Sequence, residues 1–243
     1  MSWALGLLML AGTGYLLRRV LRMGSRAAGH QAGLPPLHPQ LQSVYYPMAR
    51  EVETCATILG ITLNDAFEER SACHHDMAWR MVGLSAREWD HLAEIVKALL
   101  NTLGKYAANA TVVVPARRLA RKRFKSRVMI DFLRMPELLD LVVLRSRLRF
   151  QLQIRFLRRS AEVLTVAFRD TYRYMERTGD QSPEFWTRLD VYSYDFDLIA
   201  KETLLAFRAL LICLSPQDLP NLSGELTRLL HEGVSKRPVP ANH

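Results

Sequence analysis

Along most of the chain, apolar positions recur every three or four residues, the spacing of one face of an α-helix. Residues 3–17 (WALGLLMLAGTGYLL) break that pattern because they are uncharged and apolar almost throughout. Residues 24–47 show no period and hold three Gly and four Pro, which predicts a linker extended around Pro35-Pro36. Periodicity resumes at residues 48–59, a short amphipathic helix. Asn64 or Asp65 is placed to cap a second run to Val82, closed by Gly83 in the manner of a C-terminal glycine. Ser85-Ala86-Arg87-Glu88 then reads as a capping box. It opens a helix through about Asn101, with Trp89, Leu92, Ile95, Val96, Leu99, Leu100 and Leu103 at helical spacing. Gly104 and Asn109 mark its exit, and Val112-Val113-Val114-Pro115 is a short β-like interruption.

Pro136 followed by Glu137 suits a new helix start. No Gly, Pro or Asn occurs from Leu138 to Thr178, so one long helix is predicted there. Residues 144–156 (LRSRLRFQLQIRF) also alternate with period two, the signature of a strand. Leu, Arg and Gln are good helix formers and no turn residue flanks the run closely, so the helix is the expectation. Ser182 with Pro183 opens another helix, which passes through the alternating stretch Val191–Phe196, continues from Leu198 to Leu214 and is closed by Pro216. Residues 218–232 predict a last helix before a loose tail. The expected fold is mainly α: a single apolar anchor helix (1–23), a Pro/Gly linker (24–47), a helical bundle with one unusually long helix (48–235), and a tail (236–243). No internal repeat is present.

Charge changes this picture more than composition does. The net charge is +9, yet three acid-free stretches (1–50, 117–127 and 141–161) carry five, seven and six cations, or +18, leaving the remainder at −9. Such a bipolar layout points to an electrostatic partner. The densest stretch holds Arg117, Arg118, Arg121, Lys122, Arg123, Lys125 and Arg127 around a single aromatic, Phe124. Cations this crowded repel one another unless an anion offsets them, and phosphate is the usual one, on lipid or on nucleic acid. Single-strand binders interleave several aromatics for stacking, which this stretch lacks. A tether would also place lipid headgroups at the highest local concentration. Anionic lipid is therefore the expected partner, ahead of nucleic acid.

The tether is the apolar run. Trp3 and Tyr15 lie near its ends as interfacial aromatics do, and Leu5, Leu7, Leu8, Leu10, Leu16 and Leu17 fill it. Fifteen helical residues span roughly 22 Å against a hydrocarbon core of roughly 30 Å. Extending the segment to Leu21 while Arg18 and Arg19 snorkel closes most of the gap. The basic residues follow the apolar stretch, whereas a cleaved signal peptide carries them before it. The positive-inside rule then places the N-terminus outside and the body on the cytoplasmic side of a single-pass membrane protein. Cys55, Cys73 and Cys213 are widely spaced and odd in number, which fits free thiols in a reducing compartment.

Catalytic signatures are missing: there is no GxSxG, HExxH, Walker loop or GxGxxG. His74, His75, Glu88 and His91 are the ligand-type side chains to consider for a metal. Glu88 and His91 have the Glu-x-x-His spacing of di-iron bundles, but a second copy is lacking, so neither metal nor cofactor is expected. Asp170, Glu176, Asp190, Asp195 and Asp197 read as solvated carboxylates. Three function classes follow: a membrane-tethered interaction or scaffold protein facing anionic lipid and docking a protein partner; a tethered nucleic-acid binder using 117–127 and the arginines of 145–159; and an enzyme with a site in its helical core. The first needs the fewest unseen parts.

Overall fold

The computed structural model describes residues 36–107, 124–133, 146–179 and 181–235. Among them are six helices and no strand: α1 (Pro39–Ser71), α2 (His75–Ala107), α3 (Arg127–Leu133), α4 (Ser146–Thr178), α5 (Pro183–Cys213) and α6 (Leu219–Ser235). The mainly helical expectation holds. The anchor (1–23), the start of the long helix near Pro136, the interruption at 112–115 and the tail lie outside the described residues.

α1 begins at Pro39, inside the stretch expected to be linker, and carries Pro47 in its interior. A proline there removes a helix hydrogen bond and costs about 3 kcal/mol. Its ring is exposed, while Tyr45, Met48, Ala49, Val52, Cys55, Leu59, Leu63 and Ala66 form one buried stripe that offsets the loss. The stripe also runs past Asn64 and Asp65 without a break, so neither residue caps a helix. The break comes later. His74 N–H donates to the Glu69 carbonyl (2.9 Å) and Cys73 N–H to the Arg70 carbonyl (3.1 Å), the two bonds of a Schellman cap. Its left-handed residue is Cys73 at φ +66°, a position that glycine normally takes.

Gly83 does not end a helix. It lies within α2, and a Cβ there would sit 3.4 Å from the Tyr172 hydroxyl, so the glycine marks a close approach of α4. Ser85 opens none either, because its hydroxyl donates back to the Met81 carbonyl at 2.9 Å. In the second half the helical expectation prevails over the alternating one. Residues 146–156 are helix, and Phe150, Ile154, Leu157, Ala161, Leu164 and Phe168 are buried along one face. The Val191–Phe196 stretch lies inside α5, whose Ser182 cap accepts a hydrogen bond from Phe185 N–H.

Contacts across the helices fix the topology. α1 and α2 are joined by three residues, and α4 and α5 by four, as helical hairpins. Between α1 and α5, Tyr45 meets Phe207 at 5.3 Å and Phe67 meets Trp186 at 5.2 Å, so the two run antiparallel. Between α2 and α4, Trp79 stacks on Tyr172 (5.2 Å), Arg169 pairs with Asp90 (2.8 Å) and Arg158 reaches Asn101 (3.3 Å), again antiparallel. The four long helices thus form an up-down bundle of roughly 50 Å length at 1.5 Å per residue. Trp89 lies at its centre, fully buried, stacked on Phe168 of α4 at 4.1 Å and tilted against Phe196 of α5 at 4.5 Å. α6 packs on α1 and α2, held in part by Lys105 and Glu225 at 3.0 Å. α3 packs on α4 through Phe132 and Phe156.

Candidate functional site

Two features of the bundle carry chemistry. The first is the described end of the basic stretch. Phe124 is buried and meets Phe156 edge to face at 6.4 Å, pinning the chain to α4. The next two backbone N–H groups, of Lys125 and Ser126, donate to the two carboxylate oxygens of Asp195 at 2.8 and 2.7 Å. Ser126 then caps α3, its hydroxyl accepting from Met129 N–H at 3.2 Å. Asp195 is fully buried on α5, contrary to its expected place among solvated carboxylates. A buried carboxylate is tolerable when both oxygens accept charge-assisted bonds, which are about twice as strong as neutral ones. Asp190, Asp170 and Glu176 are exposed as expected, and Asp197 pairs with Lys201.

The side chains of Lys125 and Arg127 remain exposed beside this clamp, and the Lys125 ammonium lies 4.0 Å above the Tyr194 ring. Arg117, Arg118, Arg121, Lys122 and Arg123 lie outside the described residues, as do the anchor residues Trp3 to Arg19. Of the arginines in 145–159, Arg155, Arg158 and Arg159 are exposed on α4. Glu162 already faces two of them, at 3.9 Å from Arg158 and 3.0 Å from Arg159. Among the described residues no helix is long and apolar enough to cross a membrane.

The second feature lies between α1 and α2. Glu51 and Cys55, one turn apart on α1, face His91 of α2. The Cys55 thiol donates to Glu51 Oε1 at 3.5 Å, and the same oxygen lies 3.6 Å from His91 Nε2. Cys55 is fully buried, the His91 side chain is 7% exposed and that of Glu51 15%. Of the four ligand-type residues considered from sequence, only His91 belongs to this group. His74 sits exposed in the Schellman turn, bonded to Glu69 at 2.8 Å, and His75 starts α2, roughly 24 Å along the helix from His91. Glu88 shares a face of α2 with His91, but its carboxylate is not among the gathered atoms.

No family model, curated protein or solved structure matches this chain. Glu51 and Cys55 carry no sequence signature for this group because their spacing with His91 is tertiary: no local motif joins residues of two helices across a hairpin. The only available signal was a cysteine and a glutamate four residues apart on a helix that also buries an apolar stripe.

Proposed function

We propose that this protein is a membrane-tethered helical interaction protein, held by residues 1–23, with its basic stretch laid on anionic lipid headgroups from the cytoplasmic side. The observation that carries the reading is the separation of roles around residue 124. Phe124 and the Lys125 and Ser126 backbone are fixed to the bundle through Phe156 and Asp195, while the Lys125 and Arg127 side chains stay exposed. Rooted in this way, the Lys125 and Arg127 side chains are available to phosphate without disturbing the core. Apolar side chains such as Met77 and Leu84 on α2 and Val166 and Tyr174 on α4 are also exposed, which suits a protein partner for the body. Glu162 faces Arg158 and Arg159 and lowers the charge that these two offer to nucleic acid, while Arg155 stays exposed beside them.

Liposome co-sedimentation tests the lipid half. The body lacking residues 1–23 should bind vesicles in proportion to their anionic fraction and release as salt is raised. Replacing Arg121 and Arg123 with Gln should weaken that binding by about 2 kcal/mol, or roughly 30-fold, at about 1 kcal/mol per charge. Unchanged binding would reject the lipid reading. A nucleic-acid affinity whose log–log salt slope flattened by about two in the same variant would instead favour the nucleic-acid class.

A further inference from the structure

We infer that Glu51, Cys55 and His91 form a binding site for a divalent transition metal of the zinc type, built into the interface of α1 and α2. The inference is independent of the tether. Its first support is distance. Zinc bonds run about 2.3 Å to sulfur, about 2.0–2.1 Å to imidazole nitrogen and about 2.0–2.2 Å to carboxylate oxygen, so tetrahedral angles set sulfur–oxygen and nitrogen–oxygen edges of roughly 3.3–3.6 Å. The observed edges are 3.5 Å from Cys55 Sγ to Glu51 Oε1 and 3.6 Å from His91 Nε2 to the same oxygen, and all three ligand atoms lie within 4.8 Å of one another. Closing on a metal draws the Cys55 sulfur and the His91 nitrogen, which lie within 4.8 Å of each other, toward the roughly 3.5 Å edge of a tetrahedral site by movement of their side chains.

The second support is the imidazole. His91 Nε2 is buried and has no hydrogen-bond partner, since 3.6 Å is beyond hydrogen-bond reach. An orphaned buried nitrogen is costly, and it points at a thiol and a carboxylate. A metal bound by the three side chains would give that nitrogen its partner. Burial adds selectivity: one sulfur, one nitrogen and one oxygen donor suit zinc, cobalt, nickel or copper. Magnesium and calcium take oxygen ligands instead. Binding displaces the thiol proton, so the bond formed is metal–thiolate and the proton leaves to solvent. Three protein ligands leave a fourth position for water, the arrangement of zinc sites with an open coordination position. The ion would also clamp α1 to α2 midway along both helices.

Cobalt(II) is the probe. Tag-free full-length protein, stripped with chelator in detergent, is titrated with Co2+ alone. One equivalent should produce a thiolate-to-cobalt charge-transfer band in the near ultraviolet together with visible bands of tetrahedral intensity, and added Zn2+ should bleach both. His91→Gln should weaken Co2+ binding by more than the ~10- to 100-fold cost of losing a group outside the ligand set. Cys55→Ser should abolish the charge-transfer band while keeping the helical circular dichroism. The double variant Cys73→Ser/Cys213→Ser, in which Cys55 is the sole thiol, should retain the band, and it tests the site even if Cys55→Ser does not fold. No charge-transfer band at stoichiometric Co2+, or a band lost in the double variant, overturns the site in favour of a hydrogen-bonded core cluster.

Discussion

Replacing Trp89 with alanine should lower the unfolding free energy of the body by about 3–5 kcal/mol, the range for deleting a large buried aromatic. The residue is fully buried and lies where three helices meet, parallel to Phe168 at 4.1 Å and against Phe196 at 4.5 Å. Its loss removes apolar burial, leaves a cavity that three rigid helices cannot close, and ends aromatic contacts worth about 0.5–1.5 kcal/mol each beyond area. With a total stability of about 5–15 kcal/mol for an ordinary domain, the variant should unfold at clearly lower urea. Trp89→Phe should recover most of the difference, because a phenyl ring can still stack on Phe168. Urea titrations of the three proteins followed by circular dichroism check both statements. An alanine variant within 1 kcal/mol of the parent would place Trp89 outside the core.

Asp195→Ala comes next in expected effect, at about 2–5 kcal/mol. Two backbone N–H groups, of Lys125 and Ser126, would lose their acceptors, and an orphaned buried donor costs about 1–3 kcal/mol. The damage should be local as well as global. α3 is short and held by Ser126, Phe132 and the aromatic contacts to Phe156, so freeing its leading residues should loosen it before the four long helices respond. Hydrogen exchange by mass spectrometry should show faster exchange across residues 124–133, with α1 and α2 little changed. Equal exchange in variant and parent would mean that Asp195 does not hold this segment.

Helical content was legible in the sequence because the buried stripes keep a strict period, as in Trp89, Leu92, Val96, Leu99 and Leu103 of α2. Helix ends were less legible, for three physical reasons. Cys73 takes the left-handed cap conformation without being glycine, so the real break between α1 and α2 carried no punctuation. Gly83 looked like punctuation but serves the close approach of Tyr172. Pro47 looked like linker, yet its exposed ring is outweighed by the buried Tyr45 and Met48 on either side. The described part of the two-residue alternation, 146–156, is helix because Phe150, Ile154 and Leu157 alone already supply a buried face at helical spacing. Of the two candidate sites, the basic stretch was readable as composition, although its root at Asp195 was not. The Glu51–Cys55–His91 group depends on the facing of two helices, and only His91 stands in a local ligand-type pattern, Glu-x-x-His.

Fractionation of expressing cells tests the tether most directly. Full-length protein should sediment with membranes and stay there through alkaline carbonate, as a spanning segment does, while a form lacking residues 1–23 should move to the soluble fraction or wash off at high salt. Release of the full-length protein by carbonate would contradict a spanning anchor and with it the account of residues 3–17.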